Sequence, residues 1–138
     1  MKSEAIFAPV ALLALWTGLV ALITGVRRVR AVALGRTTAS AFRLGESSAV
    51  PPDVVVANRN LMNLLEMPVL FYVVAIAFYV TRHVDLRVVV LAWTYVGLRV
   101  AHSCIHLTSN RVRQRLVSFA LGNVVLITLW IWFIRRVF

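Results

Sequence analysis

Arg59, Asn63 and Glu66 follow one another at spacings of four and three residues in "NRNLMNLLEMP", just before the apolar run "VLFYVVAIAFYV". Those spacings return side chains to one side of a helix, so a guanidinium, a carboxamide and a carboxylate share a face. Tyr95, Arg99, His102 and His106 repeat the pattern at intervals of four, three and four, and Arg111, Arg113 and Arg115 follow directly. Guanidinium groups grip carboxylates bidentately, and a lone carboxylate takes an ammonium. The combined set suits a small ligand with several carboxylates and one amine.

The elements that position these groups are apolar. Of the 138 residues 61% are hydrophobic, and the mean hydropathy of +0.86 lies outside the soluble range. Four stretches, about 6–26, 54–80, 86–107 and 114–134, reach the roughly 20 residues that cross a bilayer core. The fold class expected is an all-α membrane protein, a single domain over residues 1–138 built as a four-helix bundle. The first stretch exceeds the apolar segment of a signal peptide, and Ala39-Ser40-Ala41 lies too far downstream for cleavage, so it stays as a helix. The formal charge of +10 does not imply a nucleic-acid partner, because the arginines sit between apolar runs and form no single basic surface.

Local signals complete the scaffold. Ala14, Gly18, Ala21 and Gly25 put small residues on one stripe of the first helix, where another backbone can approach. Asp53, after Pro51-Pro52, is expected to cap the second helix, and Ser109 or Asn110 the fourth. Pro68 removes an amide donor from the second helix and leaves the carbonyl of Leu64 short of its partner. Trp16, Trp93, Trp130 and Trp132 read as interface anchors or lipid-facing bulk. The single Cys104, within an apolar run, reads as a small buried residue.

Arginine placement sets the orientation. The first loop carries Arg27, Arg28, Arg30, Arg36 and Arg43 and the third Arg111, Arg113 and Arg115, against Lys2, Arg82, Arg87, Arg135 and Arg136 at the other end. The positive-inside rule puts the first and third loops in the cytoplasm and both termini outside it. The polar groups of the second, third and fourth helices then gather in one cytoplasmic-side layer. A charge at a helix centre facing lipid costs about 2.5–3.5 kcal/mol. Arg59, Glu66 and Arg99 are therefore expected to face protein, water or a ligand. A purely structural alternative has Arg59 snorkelling and Glu66 paired with Arg99. Glutathione, like other small polyanions, has the carboxylates and the amine that such a layer would hold.

With those residues in view, the chain resembles the MAPEG family, membrane-associated proteins in eicosanoid and glutathione metabolism. "RNLMNLLE" is similar to that family's R-x-x-x-N-x-x-E signature, and "RVAHSCIH" to its R-x-x-[YH]-x-x-x-Y segment. The resemblance implies a homotrimer in a bacterial inner membrane, with glutathione as cosubstrate bound between subunits in the cytosolic half. It implies that Arg59, Asn63 and Glu66 bind glutathione, with Arg99, His102 and His106 lining the same site. An arginine opening the fourth helix, Arg115 or with a shorter loop Arg113, would hold the thiolate. His106 stands where the family's glutathione users carry tyrosine, and Pro68 follows Glu66 by two residues where three is usual.

The activity implied is a glutathione-dependent transferase or peroxidase acting on a lipophilic electrophile or hydroperoxide. Other classes remain open: a non-catalytic lipid or glutathione binder, and a small proton-coupled exporter using Glu66. Metal or haem binding through His102 and His106 lacks a clear third ligand, so no metal is expected.

Overall fold

The computed structural model describes residues 2–43, 45 and 47–138. Four long helices carry the chain: α1 (Phe7–Ala33), α2 (Pro52–Val80), α3 (Leu86–Leu107) and α4 (Val112–Val137). Each is long and apolar enough to cross a membrane. Short 3₁₀ turns at Ser3–Ile6 and Ala39–Phe42 precede α1 and interrupt the first connection. The domain is all-α, and α3 packs most extensively on α4 and α1 on α2.

Helical periodicity decides which side chains turn inward. α1 buries Leu13, Val20, Thr24 and Ala31; α2 buries Ala57, Asn60, Leu64, Phe71, Val74 and Phe78; α4 buries Ser118, Gly122, Leu126 and Leu129. Intervals of three, four and seven residues keep each set on one stripe. Outward faces remain apolar, with Leu15 74%, Val29 71% and Val80 70% exposed. Such a surface fits hydrocarbon, not water.

Polar groups inside the bundle tie helix to helix. Asn60 Nδ2 donates to Ser103 Oγ at 2.7 Å between α2 and α3, and Thr24 Oγ1 donates to the carbonyls of Val20 and Ala57 between α1 and α2. At the end opposite the polar layer, Asp85 caps α3 by accepting from the Val88 amide at 2.9 Å and also accepts from Arg136 Nη2 at 2.7 Å. Trp132 lies against two cations there, with Arg87 Cζ 5.8 Å and Arg136 Cζ 5.5 Å from its ring centre.

The structure changes several local expectations. α1 runs to Ala33, seven residues past the expected end, because Arg27, Arg28 and Arg30 continue the helix. Asp53 lies inside the first turn of α2, where Pro51 is the N-cap without a side-chain bond, and its carboxylate pairs with Arg36 at 2.6 Å. Neither Ser109 nor Asn110 caps α4; Arg111 occupies that position without a side-chain cap, and Asn110 adopts a left-handed φ of 46° in the α3–α4 turn. Ala14, Gly18, Ala21 and Gly25 all face outward, and nothing lies within 4 Å of a Cβ built on either glycine. Their stripe therefore packs against no helix among the described residues. Cys104 is exposed, not buried, because α3 turns Ser103 and His102 inward. α2 runs on as one helix through Pro68, which is buried.

Candidate functional site

α2, α3 and α4 enclose a cleft of about 420 Å³ at the end of the bundle that carries the α1–α2 and α3–α4 connections. α2 supplies Arg59, Met62, Asn63 and Glu66, which span about two turns of helix. α3 supplies His102 and His106 from its last two turns, and α4 supplies Val112, Arg115, Leu116 and Phe119 from its first two. The histidines form the floor, at 3% and 2% exposure. Arg59, Met62, Glu66, Val112 and Leu116 are exposed and form the rim. The cleft thus opens on the flank of the bundle, with a polar base and a rim that is charged at Arg59 and Glu66 and apolar at Met62, Val112 and Leu116.

Arg115 is held from outside its own helix. Its Nη1 donates to Asn110 Oδ1 at 2.8 Å, and the Asn110 amide donates to the Ile105 carbonyl at 2.7 Å, closing the C-terminal turn of α3. Asparagine tolerates the left-handed φ of that turn better than other residues with a Cβ. The same short connection therefore ends α3, starts α4 and aims the guanidinium.

His102 is fixed by the backbone of Arg115. Its Nδ1 lies 3.0 Å from the Arg115 carbonyl, which can only accept, so Nδ1 carries the proton and Nε2 the lone pair. Ser118 Oγ stands 3.4 Å from the same nitrogen and donates to the carbonyls of Gln114 and Arg115. The His102 and His106 rings meet edge to face with centres 5.8 Å apart, and Phe119 lies 5.7 Å from His102. Glu66 makes no hydrogen bond or ion pair among the described residues, so the Glu66–Arg99 pair of the purely structural alternative is not formed.

Of the residues singled out from the sequence, Arg59, Asn63, Glu66, His102, His106 and Arg115 all line this cleft. Arg99 and Arg113 do not. Arg113 is exposed on the outer side of α4. Arg99 is 1% exposed and lies one turn deeper than His102, where Nη2 donates to Asn123 Oδ1 at 2.5 Å. Its guanidinium carbon lies 5.1 Å from the Tyr95 ring centre and 4.9 Å from that of Phe119. Gly122 makes room for it: a Cβ there would sit 3.6 Å from Arg99 Nε. Tyr95 in turn stacks on Phe71 at 4.6 Å.

Among the participants that the motifs did not indicate are Asn110, Asn123 and Phe119, and the rim residues Met62, Val112 and Leu116. Asn123 carried a signal, since a carboxamide within the apolar run of α4 needs a partner in a membrane.

Chemically, the cleft offers two guanidinium groups, one carboxylate, one carboxamide and two imidazoles beside an apolar lip. That set has the chemistry to hold a compact, mainly anionic molecule, with an apolar surface beside it. A model of the MAPEG family matches residues 6–135, and the chain belongs to that family. No curated protein and no solved structure matches the chain.

Proposed function

We propose that this member of the MAPEG family binds glutathione in the cleft between α2, α3 and α4 and acts as a transferase or peroxidase on lipid-dissolved substrates. The observation that carries the reading is the convergence of Arg59, Asn63, Glu66, His102, His106 and Arg115, from three helices, on one cleft. Arg59 and Asn63 take the peptide's carboxylates, Glu66 takes its ammonium, and Arg115 faces the thiol. The volume fits: small-molecule clefts run from roughly 300 to 1,000 Å³.

Arg115 acts as an electrostatic activator, since a guanidinium stays protonated and accepts nothing. A free thiol titrates near 8.5, and bringing it to about 6.5 takes roughly 2.7 kcal/mol of preferential stabilisation of the anion. One guanidinium in a partly desolvated site is of that strength. Arg99 supports the wall through Phe119, and Arg113 has no contact role in this scheme.

The rim residues and the outward stripe of Ala14, Gly18, Ala21 and Gly25 favour a homotrimer in which a neighbouring subunit closes the cleft. The basic first and third connections favour a cytoplasmic cleft, with both termini across an inner membrane.

Glutathione titrated into detergent-purified protein, followed by calorimetry and by the ultraviolet thiolate band, tests the reading. Saturable binding with a thiolate band that Arg115→Ala diminishes is the expected result. Absence of saturable binding overturns it. Binding without turnover of any electrophile or hydroperoxide would favour a non-catalytic role.

A further inference from the structure

We infer that His106 is the proton carrier of the cleft, taking the thiol proton as the thiolate forms and returning it to the product; this rests on the glutathione reading above. Stabilising a thiolate is only half of making one. The proton must leave, and Arg115 cannot accept it.

The groups that face His106 narrow the choice of acceptor. From α4 comes Arg115, from α2 come Arg59 and Glu66, and from α3 itself comes His102. Both guanidinium groups are excluded as bases. Glu66 lies exposed at the rim and is assigned to the ammonium of the peptide. His102 already spends Nδ1–H on the Arg115 carbonyl, and its Nε2 is sealed from the cleft. His106 differs. It lines the cleft, its Nδ1 is buried without a partner, and Nε2 is left as the nitrogen that meets whatever fills the cleft.

An imidazolium beside the guanidinium groups of Arg115 and Arg59 is unfavourable until a negative charge arrives. The thiolate supplies that charge, so the imidazole takes the proton only as the anion forms, whereas a phenol at the same position would hold its own. In conjugation the S–H bond breaks, its proton goes to Nε2 and its electron pair stays on sulfur beside Arg115. That pair then forms the bond to the electrophilic carbon. The pair displaced within the electrophile, as in an opened epoxide or an enone, takes the proton back from His106. No other reactant is needed, and the imidazole ends as it began.

Proton counting tests this. Glutathione is mixed with full-length protein in weakly buffered detergent solution containing a pH indicator, and thiolate formed is compared with protons released. Wild type is expected to form thiolate while releasing well short of one proton for each, because the imidazole keeps it. His106→Gln, which can form hydrogen bonds but takes no proton, is expected to bind glutathione while kcat/KM falls by about 100-fold, the scale of acid–base assistance. Any thiolate it forms should appear with a full proton in solution. A full proton per thiolate from wild type overturns the inference and leaves glutathione binding intact; so does binding heat without thiolate. No binding heat removes both. The wild-type count stands even where the variant fails to fold.

Discussion

Asn110 Oδ1 accepts a hydrogen bond from Arg115 Nη1 at 2.8 Å, so the residue that ends α3 restrains the cation that opens α4. Two properties of Asn110 are separable by substitution. Asn110→Gly keeps the left-handed turn and loses the restraint; a bond to a charged group contributes about 1.5–3 kcal/mol, less where water competes. Glutathione affinity is expected to fall by about tenfold with little change in melting temperature. Asn110→Ala also loses the restraint but keeps a Cβ in the left-handed region without asparagine's tolerance for it, at about 1–2 kcal/mol relative to glycine, and should melt lower than the glycine variant. Equal melting of the two would show that the turn geometry is not what asparagine supplies.

Arg99 and Asn123 should behave as a pair. Asn123→Ala strips the guanidinium of its described hydrogen-bond partner while leaving the charge buried, which is costlier than removing both groups. Unfolding in mixed detergent is expected to rank Asn123→Ala below the double variant Arg99→Leu/Asn123→Leu by about 1–3 kcal/mol. If the double variant is the less stable, Arg99 is held by more than Asn123.

Ser103→Ala tests the tie between α2 and α3. Asn60 Nδ2 would lose its acceptor inside the bundle, while the cleft residues would be untouched. Hydrogen bonds between membrane helices average about 0.6 kcal/mol, and a buried orphan amide raises the loss towards 1–3 kcal/mol. A loss of about 1 kcal/mol with unchanged glutathione affinity is expected. A change in affinity instead would place this bond in control of the cleft.

Asp85 makes stability depend on acid. Burial pushes its carboxyl up, but the Val88 amide and then the Arg136 guanidinium outweigh it and hold it below the usual carboxylate range. A group with a depressed folded value contributes its stability above the unfolded value, near 3.9, and loses it as pH falls through the folded one. Melting temperature should therefore drop below about pH 4 in wild type and drop less in Asp85→Asn. Parallel curves would show that other carboxylates carry the acid response.

The four spans and the polar face of α2 were legible because both rest on periodicity, which a helix converts directly into faces. Arg99 shows where that ends. It shares its helical face with His106, yet it lies two turns deeper, where Phe119 and Gly122 of α4 close around it. Which part of a face meets a cleft depends on the crossing of α4, and spacing within α3 carries no record of it. Arg113 and Arg115 posed the same problem: both open α4, and only the Asn110 bond and the direction of α4 separate them. The capping expectations failed for a local reason. Asp53 found a guanidinium in Arg36 across the first connection, a tertiary contact that outcompetes an N-cap.

The sideways mouth of the cleft, apolar at Met62, Val112 and Leu116 and polar at its base, gives two reactants perpendicular approaches. On the proposed reading, the tripeptide arrives from the aqueous compartment and its acceptor drifts in laterally among acyl tails. What governs turnover of a given acceptor is then its oil–water partition coefficient, because the reservoir that the mouth samples is the leaflet.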